Sequence, residues 1–298
     1  MANVNQSQQL QNPVEKYPKP EFPEQEQQLP GLEQEMNPKP DHGENTYKGS
    51  GKLTGRKAII TGADSGIGKA VAIAFAREGA DVLISYLNEE EDAKETAGYI
   101  EKEGRKAILV PGDISNEEHC KQIVEKALQE FGGIDILVNN AAMQITHEKL
   151  QDIPSEEWDH TFKTNVYAMF YLCKAAEPHL KPGSSIVNTT SVNAYTPKPI
   201  LIPYTITKAA IQNFTASLAQ LWAEKGIRVN CVAPGPIWTP LIPASFSAEE
   251  TAKFGSGSPM KRPGQPAELA PVYVLLASQE SSYVSGATVP VTGGMPTI

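Results

Sequence analysis

The chain has 298 residues, 40% of them hydrophobic, and a formal net charge of −9. No run of Lys or Arg is dense enough to track a phosphate backbone, and no apolar stretch reaches the roughly 20 residues a bilayer requires, so nucleic-acid and membrane partners are not expected. Cys120, Cys173 and Cys231 are odd in number and widely spaced, which argues against a disulfide framework or zinc knot and for a reduced, cytoplasmic compartment.

Residues 1–50 differ from the rest. They hold seven prolines and eight glutamines, and their four lysines against eight acids put this segment at −4 and the remaining chain at −5. So little aliphatic periodicity cannot offset the entropy of ordering. The segment reads as an N-terminal arm that is expected to be disordered; the alternative is docking on a neighbouring subunit through Tyr17, Phe22, Leu29 and Leu32. Residues 51–298 have the size of a single α/β domain.

That domain opens with the apolar run 57–60, followed by Thr61-Gly62-Ala63-Asp64-Ser65-Gly66-Ile67-Gly68 and a helical stretch to Arg77. Strand, glycine turn and helix in this order suit a pyrophosphate, because glycines let the backbone approach it and the free amides at a helix start stabilise its charge. Further β-rich runs fall at 81–86, 106–110, 134–139, 184–189, 227–232 and 287–291, separated by helical segments. The alternation predicts a parallel sheet covered on both faces, with ligands bound beyond the carboxyl ends of the strands. Gly62, Asn139 and Ser191 all follow predicted strands.

The helix predicted over 203–224 places Ile206, Ala210, Phe214, Leu218 and Leu221 on one stripe. That stripe is assigned to the core, which leaves Tyr204 and Lys208 on the opposite or flanking edge. Tyr204 and Lys208 lie one turn apart on a shared face. A neighbouring ammonium favours the phenolate and moves a phenol from about 10 by roughly 1 to 3 units toward neutrality. The pair is therefore a candidate general acid and base. His42, His119, His147, His160 and His179 form no H-E-x-x-H or similar cluster, so no metal site is expected. Ser191 lacks the G-x-S-x-G elbow of an acyl-transfer nucleophile.

The spacing Gly62, Gly66, Gly68, together with Asn139-Asn140-Ala141-Ala142, Ser191 and Tyr204-Thr205-Ile206-Thr207-Lys208, resembles the short-chain dehydrogenase/reductase family over about residues 50–298. The resemblance implies a Rossmann-type doubly wound sheet and an NAD(P)-dependent enzyme that interconverts an alcohol and a carbonyl of a small-molecule substrate. It also implies a tetrad of Asn165, Ser191, Tyr204 and Lys208. Ser191 would hold the substrate oxygen, Tyr204 exchange its proton, Lys208 bind the nicotinamide ribose and Asn165 support a water relay.

The same resemblance assigns cofactor contacts to Gly62, Asp64, Ser65, Gly66, Ile67 and Gly68 in the first turn, and to Tyr86 at the second strand end. It assigns Asp113 and Ile114 to the adenine, Asn139 and Ala141 to the adenosine ribose, and Pro234, Gly235, Ile237 and Thr239 to the nicotinamide carboxamide. Relatives that prefer NADP place a cation just before the second loop glycine or just after the second strand. Here those places hold Asp64-Ser65 and Tyr86-Leu87-Asn88, which favours NAD and keeps NADP open.

A homotetramer is implied, formed through the helices carrying Asn165 and Tyr204 and through the strand 288–291, with the arm outside the association. The polar, proline-containing arm resembles that of bacterial general-stress relatives, some related to glucose and ribitol dehydrogenases. A nucleotide-binding stress or scaffold protein of the same fold, with incidental catalysis, is the rival reading.

Overall fold

The structure is a computed structural model and describes residues 10–297. Seven strands, β1 (Lys57–Thr61), β2 (Asp81–Tyr86), β3 (Ala107–Pro111), β4 (Ile136–Asn139), β5 (Ser185–Thr189), β6 (Arg228–Pro234) and β7 (Thr288–Val291), form one sheet in the order 3-2-1-4-5-6-7. Every neighbouring pair is parallel. The helices are α1 (Gly66–Arg77), α2 (Glu90–Lys102), α3 (Glu117–Phe131), α4 (Ser155–Phe162), α5 (Ala168–Ala176), α6 (Ile202–Trp222), α7 (Ala248–Ala252) and α8 (Ala270–Ala277). The strand order reverses between β1 and β4, and such a switch point opens a crevice at the carboxyl ends of the strands. This is the Rossmann-type sheet expected, and each predicted run falls within two residues of a strand.

Alternate residues of each strand feed two cores, as the period of a strand requires. Ala58, Ile60, Val82 and Ile84 pack with α1, α2 and α8. Ile59, Leu83, Leu137 and Ile186 pack with α3, α5 and α6 on the other face. In α1 the run Ala70, Val71, Ala72, Ile73, Ala74 is at most 1% exposed, and its small side chains let the helix lie close between sheet and α8.

Two expectations are corrected. On α6 the buried face is Thr207, Lys208, Ile211, Thr215, Ala219 and Trp222, whereas Ile206 and Leu221 of the predicted core stripe are 42% and 67% exposed. Hydrophobicity misplaced the face because the threonines are satisfied within the helix. Thr207 donates to the carbonyl of Tyr204 at 2.7 Å and Thr215 to that of Ile211 at 2.8 Å, so polar residues bury there without orphaned groups.

The second correction concerns the arm. Its described part is ordered against its own domain. Arg262 donates to the Pro13 carbonyl at 3.0 and 2.8 Å, Arg77 to the carbonyls of Gly43, Glu44 and Tyr47, and the Trp238 indole to the Pro38 carbonyl at 2.8 Å. An inventory of the arm's own residues omits these donors, because the domain supplies them.

Candidate active site

The ends of β1, β4, β5 and β6 converge on a cavity of about 1010 Å³, which runs from Tyr86 and Asp113 at one end to Ser191 and Tyr204 at the other. Its first wall is the glycine turn. Gly62 and Gly66 have φ of +61° and +51°, and a Cβ on Gly62 would lie 3.0 Å from Ala141 Cα. A Cβ on Gly68 would sit 1.8 Å from the Gly62 carbonyl oxygen. Gly68 therefore serves the closure of turn onto helix and does not line the cavity, unlike Gly62, Asp64, Ser65, Gly66 and Ile67.

A second difference separates the two asparagines after β4. Asn139 turns into the sheet, where its amide donates to Asn188 Oδ1 at 2.8 Å. Asn140 lines the cavity with Ala141, and its amide holds the carbonyls of Thr61 and Gly62 at 3.1 and 3.2 Å. The carry-over of the motif picked Asn139, yet Asn140 fixes the turn; the alternation of side chains across β4 was the signal that separates them.

At the adenine end, Tyr86, Asp113 and Ile114 all line the cavity. The Asp113 carboxylate accepts from the Ser115 amide and hydroxyl, both at 2.8 Å. Tyr86 donates its hydroxyl to Glu90. Burial, reinforced by the Glu89 charge, pushes the Asp64 carboxyl up to about 7. Lys69 is 2% exposed and pinned between Glu33 Oε1 at 2.5 Å and Glu95 Oε2 at 2.9 Å. Glu33 comes from the arm, and its Oε2 also accepts from the Gly66 amide at 3.2 Å. No feature of the arm's sequence marked Glu33 or Pro30; Leu29, a candidate for docking on a neighbouring subunit, reaches the cavity wall of its own domain together with Pro30.

At the other end, Ser191 follows β5 and Tyr204 and Lys208 project from the first turns of α6. Lys208 Nζ donates to the Thr189 carbonyl at 2.9 Å and lies 5.3 Å from the Tyr204 ring centroid. Burial pushes the Tyr204 phenol up to about 12, against a hydrogen bond with Ser191 that draws it down. Burial holds the Lys208 amine down to about 7. The expected drop of the phenol toward neutrality is thus absent: burial disfavours the charged form of each group and is the leading cause at both.

Asn165 stands apart from this cavity, in a π-turn over Lys163–Tyr167 between α4 and α5. Its amide donates to the Met143 carbonyl at 2.9 Å and to Thr207 Oγ1 at 3.1 Å, and its Oδ1 accepts from the Met143 amide at 2.9 Å. In the π-turn the Ala168 amide bonds back to Lys163, five residues earlier, which breaks the regular ladder beside α6. Pro234, Gly235, Ile237 and Thr239 follow β6 and line the cavity between the two ends. The positive-φ glycine turn, with no room for a Cβ, and the length of the cavity fit a dinucleotide.

Strand order and site together define a Rossmann-fold oxidoreductase with a Ser, Tyr and Lys cluster at the sheet's carboxyl edge. Residues 62–296 match the family model described as enoyl-(acyl carrier protein) reductase. General stress protein 39 of Bacillus subtilis is 56% identical, covering 93% of this chain and 97% of its own. Glucose and ribitol dehydrogenase of Daucus carota is 46% identical over 92% of this chain and 97% of its own. Among solved structures, a short-chain dehydrogenase from Burkholderia cenocepacia in complex with NADP is 32% identical with a TM-score of 0.77, over 82% of this chain and 98% of that one. The chain belongs to the short-chain dehydrogenase/reductase family. Among the described residues no helix is long and apolar enough to cross a membrane.

Proposed function

We propose that the protein interconverts an alcohol and a carbonyl with a nicotinamide cofactor, using Ser191, Tyr204, Lys208 and Asn165. The bound nicotinamide supplies or accepts the hydride at the substrate carbon. Tyr204, protonated near neutral pH, gives its proton to the substrate oxygen in reduction and takes it back in oxidation. Ser191 donates to the same oxygen and orients it. Lys208, anchored by the Thr189 carbonyl, turns its remaining N–H groups toward the ribose side and stabilises the phenolate when protonated. Asn165 holds the Met143 segment against α6 and supports a water relay toward Lys208. The observation that carries this reading is that Ser191, Tyr204 and Lys208 all line the same cavity of about 1010 Å³ as the glycine turn, with Lys208 Nζ 5.3 Å from the Tyr204 ring centroid.

A screen with NAD and NADP against glucose, ribitol, simple secondary alcohols and short aldehydes tests it. Turnover is expected with at least one of them. Tight nucleotide binding with no turnover anywhere in the screen would leave the nucleotide-binding stress or scaffold reading in its place.

Three finer assignments accompany this reading. NAD is favoured over NADP, because Lys69 is tied to Glu33 and Glu95, Lys94 to Glu91 at 3.0 Å, and Glu89 sits beside Asp64; tenfold tighter binding of NADP, about 1.4 kcal/mol, sinks that preference. A homotetramer is assigned because Tyr167, Phe170, Ile206 and Leu221 are 43%, 45%, 42% and 67% exposed on the helices expected to pair. Light scattering of Leu221→Glu checks it, with smaller assemblies as the expected result. The cytoplasm is the assigned compartment, and fractionation of producing cells is its check.

A further inference from the structure

The arm touches the site in a way that neither the sheet nor the tetrad requires. Phe22 is 7% exposed, and its ring lies 4.4 Å from the ring of Trp238, which is fully buried. Trp238 is the residue before Thr239, so it stands where the nicotinamide-side wall leaves β6 and becomes the 239–254 segment. From Trp238 the contacts continue inward through Phe254, at 6.4 Å, to Phe246, at 6.0 Å from Phe254. Phe246, Ile242 and Leu201 form a buried cluster against which Tyr204 packs. An aromatic path thus joins the arm to Tyr204.

The backbone tells the same story. The Phe22 amide donates to the Ala252 carbonyl at 2.9 Å, and the Gln27 amide to the Pro243 carbonyl at 2.8 Å. At Gly31 the arm passes so close that a Cβ would lie 2.7 Å from the Pro240 carbonyl oxygen. The segment these contacts hold has only the five residues of α7 as regular helix. Its own hydrogen bonds are local, such as Phe246 to Ile242 and Phe254 to Thr251. A stretch with so little internal bonding opens at low free energy unless another layer covers it. On the inner side Gln144 and Thr146 bond Ser245 at 2.8 and 3.0 Å; the arm is the outer layer, and it is fastened beyond the segment at both ends, at Arg262 by the Pro13 carbonyl and at α1 by Glu33.

We propose that the N-terminal arm is a strap that positions the substrate-side wall of the cavity, with Phe22 as the positioning residue, acting through Trp238 on the 239–254 segment. The inference rests on the reading that this segment faces the substrate. Phe22 touches neither cofactor nor substrate; it sets the position of those residues that do. A wall held closed in this way is organised before the substrate arrives, which lowers the ordering cost of binding and leaves the proton-transfer step itself unchanged.

Amide hydrogen exchange of the full chain tests this without a known substrate. In Phe22→Ala, peptides covering 239–254 are expected to exchange at least tenfold faster than in the unaltered protein, while peptides from β4 and β5 keep their rates. Phe22→Leu, which restores apolar volume against Trp238, is expected to bring the rates back to within threefold. With any substrate found by the screen, Phe22→Ala is expected to raise KM about tenfold and to change kcat less than threefold. Faster exchange confined to residues 16–36, with 239–254 unaltered, overturns the proposal and makes the arm a passenger. So does a fall in kcat at constant KM. Should Phe22→Ala not fold, Gln27→Pro, which removes the amide donor to Pro243, decides by the same exchange, expected at least threefold faster in 239–254; an unaltered rate there overturns the strap. If the screen finds no substrate for the unaltered protein, the proposed function fails while the exchange result still stands or falls alone.

Discussion

Strands β1 and β2 and the arm, which lies against α1 and the 239–254 segment, reach order by opposite routes. Ala58, Ile59, Ile60, Val82, Leu83 and Ile84 are each at most 1% exposed, so apolar burial alone accounts for the strands. In the described part of the arm only Phe22 and Met36 among the larger apolar side chains are buried. Its order comes from polar fastenings that the domain presents. Arg262 and Arg77 collect its carbonyls, and Glu78 accepts from the Tyr47 hydroxyl and the amides of Ser50 and Lys52. Lys69 of the domain holds Glu33 at 2.5 Å, and His42 from the arm itself lies 2.8 Å from the same carboxylate. The comparison teaches that a segment too polar to fold by itself can be fully placed by donors that a finished domain holds ready. It also implies two kinds of failure, since damage to the strands unfolds the whole domain and damage to the fastenings releases the arm and loosens the 239–254 segment beneath it while the sheet stays folded.

The largest expected effect lies in neither region. Tyr204→Phe removes the transferable proton and almost no volume, and a positioned acid or base is worth about 10²–10⁴ in rate. Turnover should fall by that factor while nucleotide affinity, thermal midpoint and arm exchange stay unchanged. Unaltered turnover in that variant would falsify the assignment of the proton donor.

Next comes the strand core. Ile60→Ala leaves a hole between β1 and the helices α1 and α8, and such truncations cost about 2–5 kcal/mol. Urea unfolding should show a lower midpoint for sheet and arm together, because the arm has no platform once the domain is lost. A sheet that survives with a released arm contradicts the comparison.

Glu33→Gln probes the opposite route. It keeps the shape and removes the charge that Lys69, His42 and the Gly66 amide meet, a loss of about 1–3 kcal/mol for a buried charged hydrogen bond. Exchange should quicken in the arm and, to a smaller extent, in the 239–254 segment that it covers, with the urea midpoint of the sheet unmoved.

The smallest effect is a pH dependence. Burial raises the Glu33 carboxyl, but His42 and Lys69 outweigh it and hold the group down to about 2, against 4.5 for an ordinary glutamate. A depressed folded-state pKa contributes stability that is complete above the unfolded value and is lost as pH falls toward the folded one. Protection of the arm should therefore decline between about pH 4.5 and 2. Glu33→Gln should flatten that decline, and an equal slope in both proteins would remove Glu33 from the explanation.

Much of the site was open to reading from residue order alone. Gly62, Gly66, Ser191, Tyr204 and Lys208 are placed by the elements that carry them, and in a parallel sheet those elements all end at one edge, so sequence order becomes spatial proximity. Asn165 was located in its helix, but not its π-turn or its grip on Met143. The pKa pattern of Tyr204 and Lys208 was misjudged because spacing reports which groups are neighbours and says nothing of how far each is removed from water.

By itself the sequence determined the strands, the glycine turn and the identity of the groups proposed to react. Those depend on local period, on the absence of a Cβ and on functional groups that no packing can supply. Only the tertiary structure decided which face of α6 is buried and that residues 10–50 lie along their own domain with Glu33 at the head of α1. For the arm the deciding partners are distant in sequence: Lys69 for Glu33 and Trp238 for Phe22. A hydrogen bond or aromatic contact of that range leaves no trace in local composition, because neither residue's own neighbourhood records the group it will meet once the chain has folded.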